Sequence, residues 1–342
     1  MTIPVGYDAA RGGAAFLVRA GRGKLAVAGS DRKTYLHAML TNDILALQPG
    51  TGCYAAYLTP QGRMISDVRV FEIGDLALLE MRAAEAPVVL AKLDQFVFTE
   101  DVKLGDLGEA FEEIRVAGPG APRVVAAVLG GERREAGAPP AEEELAGWPE
   151  FQNVRASLGG EMVLVTANRE LGVPCFDLFV EHPQAARLAE AIAAAGAVPL
   201  SEEAAETLRI EAGSFAFGSD MDSDTIPLEA GIEGRAISLT KGCYPGQEVI
   251  VRVLHRGHGR VARRLCGLEC EGTGVPAAGD PLRSGERDAG RVTSAAWSPL
   301  LERPIALAWV QRDFVAAGTE LTVVHGGEAL AAKVAALPFA RM

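Results

Sequence analysis

The sequence predicts a chain of mixed helices and strands closed by a small β-barrel. Three observations predict it. Up to about residue 247, apolar residues recur in two rhythms, one of period two and one of helical spacing. From Glu248 onward, short strand-like runs recur between turn signals with almost no helical periodicity. A length of 342 residues, at about 150 per domain, makes roughly two domains or three small ones.

The elements follow in order. Lys24 to Ala28 reads as a strand. Ser30 reads as the cap of a helix beginning at Asp31, with Tyr35, Leu36 and Met39 as its apolar face. Cys53 to Thr59 and Met64 to Ile73 are strands joined by Pro60-Gln61-Gly62, and Asp75 to Met81 continues their sheet. Pro87 opens a helix to about Val97, with Val89, Leu90, Leu93, Phe96 and Val97 facing inward. Arg115 to Leu129 holds two strand-like runs around Gly118-Pro119-Gly120, and Gly130 to Glu150, rich in Pro, Gly, Ala and Glu, reads as a mobile loop. Met162 to Thr166 and Phe176 to Glu181 are strands, and Pro183 to Ala195 is a helix ended by Gly196. Ser201 caps a further helix that Gly213 closes.

Composition excludes several classes. With 49% hydrophobic and 23% charged residues the chain is not a disordered one. The balance of 33 basic against 45 acidic residues argues against non-specific binding to nucleic acid or anionic membrane. No signal peptide and no membrane-length apolar run is visible. The five cysteines are odd in number and irregularly spaced, which fits reduced thiols in a cytoplasmic protein better than a disulfide framework.

The most informative segment is Lys241-Gly242-Cys243-Tyr244-Pro245-Gly246-Gln247-Glu248. Two glycines and a proline make a tight loop, and a thiol sits two positions from a lysine, whose charge favours thiolate. Cys243 is either a reactive thiol or a structural cysteine buried in a turn. Asp67 shares a strand face with Ile65, Arg69, Phe71 and Ile73, where an acid must be paired, with Arg69 or with a ligand. Glu211 falls in the last turn of its helix, where the dipole disfavours a carboxylate. It is either a solvated acid or an acceptor for a ligand with adjacent N–H donors. Arg252, Arg256, Arg260, Arg263 and Arg264 form a basic run, read as a solvated strand edge or as a receiver of a carboxylate tail or RNA phosphates. Asp220, Asp222 and Asp224 begin like a calcium loop, but Thr225 and Gly231 stand where Gly and Glu are required. Cys243, His255, His258, Cys266 and Cys270 fit no zinc spacing, and no metal site is expected.

The octapeptide resembles the K-G-C-[YF]-x-G-Q-E signature of the YgfZ family, folate-binding proteins related to the glycine-cleavage T-protein. Other stretches agree: Leu58 to Val70 with Gly62, Arg63 and Asp67; Thr207 to Gly213; Pro227-Leu228-Glu229; and Gly290 to Ser294. The resemblance implies an α+β fold of two intertwined lobes around a central opening, a folate-binding region at 1–255 and a barrel at 256–342. It implies binding of tetrahydrofolate or a one-carbon derivative, with iron–sulfur assembly or client proteins as partners and a role in cluster assembly or repair. Its site residues would be Cys243 and Asp67, with Glu211, the fallback Glu229, Lys241 and Arg252 toward folate. Cys243 would act at the mouth of the folate cavity. Two alternatives stand beside it, an aminomethyltransferase of glycine cleavage and a folate-linked tRNA-modifying or RNA-associated protein. T-proteins carry two adjacent acids where this chain has Ser66-Asp67, and lack the cysteine signature; both departures bear on aminomethyl transfer.

Overall fold

A computed structural model describes residues 2–130, 140–257 and 259–339. Residues 131–139 of the expected loop, and His258, lie outside the described residues. The fold combines a five-stranded sheet, a six-stranded sheet and a closed barrel.

The five-stranded sheet is antiparallel, in the order Thr51–Leu58, Met64–Glu72, Leu76–Arg82, Arg22–Ala28, Lys103–Asp106. The six-stranded sheet runs Val198–Pro199, Ala15–Val18, Phe111–Ala117, Cys175–Glu181, Glu161–Asn168, Asn153–Leu158. The five-stranded sheet is one continuous stretch, inserted between the Ala15–Val18 strand and the rest of the six-stranded sheet. Each sheet carries helices on its outer face. Leu36 and Met39 of the Arg32–Met39 helix and Val89 and Leu93 of the Ala86–Asp94 helix meet Leu25, Val27, Val68 and Val70 of the first sheet. Val124, Val128, Leu188 and Ile192 cover the second sheet in the same way. The inner faces meet through Phe71, Leu78, Leu164 and Phe179. The alternation of Met64 to Glu72 follows from this sandwich, because Met64, Val68 and Val70 are buried while Ile65, Asp67 and Arg69 are half-buried.

Several elements differ from the sequence reading. Ser30 caps nothing; its N–H and hydroxyl donate to Asp101 Oδ2 at 2.9 and 3.0 Å. Asp31 takes the N-cap place of a helix starting at Arg32. The second run before Leu129 is the helix Ala121–Leu129, not a strand. Its valines suggest a strand, but Ala121, Val124, Val125 and Val128 line one helical face. Part of the expected loop, Glu142–Ala146, is a short helix. The expected strands after Glu248 begin with the helix Gln247–His255. Its β-branched run misleads in the same way, while Ile250, Val253 and Leu254 share an inward face. Ser201 does cap its helix, Glu202–Glu211, accepting from the Ala204 N–H at 3.1 Å.

The barrel closes in the order Arg263–Cys270, Arg303–Gln311, Arg287–Ser298, Pro281–Ser284, Glu320–His325, Glu328–Ala335, the last pairing with the first. It docks on the Glu202–Glu211 helix through buried polar contacts. Arg209 donates to Asp220 Oδ2 at 2.7 Å and to Ser294 Oγ at 2.9 Å. Asp220 Oδ1 accepts from Thr293 and Ser294 at 2.6 and 2.7 Å. Among the described residues no helix is long and apolar enough to cross a membrane.

Candidate functional site

Between the sheets the inner layer turns from apolar to charged. Arg69 of the first sheet pairs with Glu80 at 2.5 Å and with Glu170 at 3.1 Å. Arg115 of the second sheet holds Asp177 with two bonds, at 2.6 and 2.8 Å, and also pairs with Glu170. Arg22 pairs with Glu80, and Arg19 bonds Glu113 at 2.8 Å. Burial opposes ionisation of Glu80, but Arg22 and Arg69 outweigh it and hold the acid down at about 2. Burial pushes Glu113 the other way, and Glu80 adds to it, up to about 7. Its Oε2 is buried with no partner among the described residues.

Asp67 sits at the edge of this network, in a cavity of about 160 Å³. Tyr54, Arg22, Arg69, Glu150 and Glu170 line it together with residues 213–217, Gly231, Ile232 and Arg235. The Tyr54 hydroxyl donates to Asp67 Oδ2 at 2.9 Å. The two stand on neighbouring strands, one diagonal step apart, since Tyr54 lies opposite Arg69 and Ala56 opposite Asp67. Burial raises the Asp67 pKa, while Arg22 and Arg69 limit the rise. The Arg235 guanidinium lies 5.2 Å from the Tyr54 ring centre and pairs with Glu150 at 2.8 Å. Phe215 and Phe217 add aromatic wall. The Asp67–Arg69 pair does not form, because Glu80, opposite Arg69 on the neighbouring strand, and Glu170, from across the sheets, take Arg69 instead.

The remaining expected site residues lie elsewhere. Glu211 is buried with its carboxylate fully engaged: Tyr7 donates to both oxygens at 2.8 and 2.9 Å, Ser298 at 2.5 Å and Arg11 at 3.1 Å. It ties the N-terminal helix to the barrel and is not among the residues lining the Asp67 cavity. It is therefore neither the solvated acid nor the open acceptor that the sequence suggests. Glu229 pairs with Arg263 at 3.4 Å. Arg252 and Arg256 are exposed at the end of the Gln247–His255 helix rather than on a strand edge. Lys241 is buried, and its ammonium donates to the carbonyls of His37 and Leu40. Cys243 is exposed, whereas Cys175, Cys266 and Cys270 are buried. It does not line the Asp67 cavity. Its loop leans on the Thr59 to Gly62 turn, where Gly246 has a φ of +83° and a Cβ would meet Thr59 O at 2.5 Å.

Sequence reasoning missed Tyr54, Arg235, Phe215 and Phe217. Tyr54 had a usable signal, a phenol on the strand adjoining Asp67; the others reach the cavity from segments more than 140 positions away, and nothing local marks them.

Residues 7–241 match the model of the GCVT N-terminal domain, and residues 263–340 that of the glycine cleavage T-protein C-terminal barrel domain. An aminomethyltransferase of Rubrobacter xylanophilus is 29% identical over 319 residues, covering 93% of this chain and 81% of the relative. One from Bacillus velezensis is 30% identical over 325 residues, covering 93% and 84%. The crystal structure of the glycine cleavage system aminomethyltransferase T from Bartonella henselae superposes with a TM-score of 0.85 at 22% identity, covering 98% of this chain and 88% of that one. The two domain matches, which together span most of the chain, place it in the glycine-cleavage T-protein superfamily.

Proposed function

We propose that the chain binds tetrahydrofolate, or a one-carbon derivative of it, in the Asp67 cavity and transfers an aminomethyl-derived one-carbon unit there. The observation that carries this reading is Asp67 itself, a carboxyl with a raised pKa beside a phenol and two guanidiniums in an aromatic-walled cavity. The lining fits the group. Tyr54, Phe215 and Phe217 suit a flat heteroaromatic ring, Asp67 and Glu150 offer acceptors, and Arg235 at the rim suits an anionic tail.

Tetrahydrofolate supplies the amine nitrogens that receive the carbon. The chain's own part is proton handling and position. Tyr54 fixes the Asp67 carboxyl by its hydrogen bond. The raised pKa lets that carboxyl give a proton to a departing amine and take one from a folate nitrogen. Arg22 and Arg69 keep its charged form accessible. The names of the relatives, aminomethyltransferases along nearly the whole chain, support this reaction.

A second reading, support of iron–sulfur cluster assembly or repair with its client proteins, has one specific observation in its favour. The exposed Cys243 lies in the eight-residue signature loop, and aminomethyl transfer at Asp67 leaves that thiol unused.

Anaerobic calorimetry with tetrahydrofolate, followed by transfer from an aminomethylated lipoyl carrier, tests both. The expected result is binding and turnover, with Asp67→Asn lowering turnover by about 10² to 10⁴-fold at nearly unchanged affinity. Binding without turnover would move the cluster-assembly reading ahead. No binding at millimolar folate would overturn the cavity as a folate site.

A further inference from the structure

Arg235 enters the Asp67 cavity from the short helix Glu233–Ala236 and lies over the Tyr54 ring, its guanidinium 5.2 Å from the ring centre. Two consecutive residues clip that helix to the Tyr54 strand. Asn42 Nδ2 donates to Tyr54 O at 2.8 Å and to Arg235 O at 2.9 Å. Thr41 Oγ1 donates to Ala236 O at 2.6 Å and accepts from the Ala56 N–H at 2.8 Å. The guanidinium is held in turn by Glu150 Oε1, at 2.8 Å. Glu150 precedes Phe151, whose φ of +69° is a left-handed backbone that residues other than glycine seldom adopt. Packing keeps this turn. The Phe151 N–H donates to Ala167 O at 2.7 Å, its ring lies 6.3 Å from that of Phe71, and a Cβ on Gly52 would meet the Phe151 Cβ at 3.1 Å. Backbone strain held by its surroundings in this way collects at functional sites.

We propose that Arg235 is a positioning residue of the Asp67 site: held by Glu150 against the Tyr54 ring, it strengthens the hydrogen bond from the phenol to Asp67 and so sets how readily that carboxyl takes up and releases a proton. The inference draws its functional meaning from the reaction proposed at Asp67, but its test needs no folate.

A cation on the face of a phenol draws electron density from the ring, and the hydroxyl becomes the stronger donor. Burial, then Asp67 itself, push the Tyr54 hydroxyl well above its usual range, and Arg235 pulls it back. A stronger donor favours the charged form of the carboxyl that accepts from it. At Asp67 this works against burial, the largest influence, which raises the carboxyl. Arg22 and Arg69 lower it, and Glu80 raises it. Glu170 and Glu150 are the other acids lining the cavity. Arg22 is paired with Glu80, and Arg69 with Glu80 and Glu170. Arg235 is the exposed cation of the set, so water screens its direct effect, and its influence on Asp67 passes chiefly through the Tyr54 hydroxyl.

The test reads the Asp67 carboxyl itself. Protein labelled with carbon-13 at the aspartate carboxyl carbon is titrated by NMR from pH 3.5 to 9, and the Asp67 resonance is the one absent from Asp67→Asn. Thermal melting is the fold control. Arg235→Met, which keeps the side-chain length over the ring and removes the charge, should raise the Asp67 midpoint by about half a pH unit or more. Arg235→Lys should restore most of it. Glu150→Gln keeps an acceptor for Arg235 and removes the opposing charge, so it should lower the midpoint. In a Tyr54→Phe background, Arg235→Met should move it much less. A raised wild-type midpoint that neither Arg235→Met nor Glu150→Gln moves would overturn the inference and leave the Asp67 reaction standing. Equal shifts with and without the Tyr54 hydroxyl would overturn it too, because the charge would then act through space. A wild-type midpoint at the ordinary 3.8 would overturn the proton role of Asp67 itself, and this inference with it. Should Arg235→Met not fold, the isosteric Glu150→Gln decides alone.

Discussion

Glu113→Gln should make the protein more stable at alkaline pH and nearly indifferent to pH in that region. Glu113 is fully buried on the inner face of the six-stranded sheet, with Arg19 on one oxygen and, among the described residues, no partner on the other. Its pKa rises from an ordinary 4.5 to about 7, first through burial and then through Glu80. Because the folded value exceeds the unfolded one, folding favours the protonated acid. The stability this contributes is complete below about pH 4.5 and is lost as pH climbs through 7. At about 1.4 kcal/mol per pH unit the loss comes to about 3 kcal/mol by pH 8. Glutamine keeps the acceptor for Arg19 and places an N–H donor where Oε2 has none, beside the Glu80 and Asp177 carboxylates. Urea unfolding of wild type and variant at pH 5 and pH 8, followed by the fluorescence of buried Trp148 and Trp309, reads the difference. The variant should gain on the wild type by about 3 kcal/mol between the two pH values. A gap that stays constant from pH 5 to pH 8 would refute the reasoning.

Two further substitutions test how the barrel is held. Asp220→Ala takes from Arg209 its buried acid, leaving it the more exposed Glu206, and strips Thr293 and Ser294 of an acceptor. It should cost about 3–5 kcal/mol, read as a fall in the unfolding midpoint together with faster proteolysis between residues 256 and 263. Glu211→Gln removes the charged acceptor of Tyr7, Arg11 and Ser298 and should cost about 1–3 kcal/mol while leaving tetrahydrofolate affinity unchanged. Loss of folate affinity in a variant that keeps its stability would instead make Glu211 a ligand contact.

The barrel and most strands were legible because their signals are local. Period-two runs between glycine turns mark Thr51–Leu58 and Met64–Glu72, and the serine before two acids marks the Glu202–Glu211 helix. The two helices misread as strands, Ala121–Leu129 and Gln247–His255, are valine-rich, and there tertiary burial of one face overrides local preference. The site was legible only in part. Asp67 and Cys243 announce themselves by an acid on an apolar strand face and by a thiol in a glycine-rich loop. The surroundings of Asp67 do not, because Arg235 reaches Tyr54 across 181 positions.

Asp67 and Glu211 look alike in the sequence, as acids in places that disfavour charge, and the structure separates them by the donors around them. Glu211 is surrounded by a phenol, a hydroxyl and a guanidinium, so its charge is spent on joining the N-terminal helix to the barrel. Asp67 has one neutral donor, Tyr54, and feels Arg22 and Arg69 while Glu80 and Glu170 hold those cations more closely. The network sets Arg19, Arg22, Arg69 and Arg115 against Glu80, Glu113, Glu170, Asp177 and Asp67. Burial falls most heavily on the carboxylates that these guanidiniums hold least closely. Arginines hold Glu80 and Glu170 below the usual carboxylate range, whereas burial raises Glu113 and Asp67 above it. One of these is sealed between the sheets and the other opens on the cavity, so of the two raised acids Asp67 is the one that a ligand in the cavity can meet.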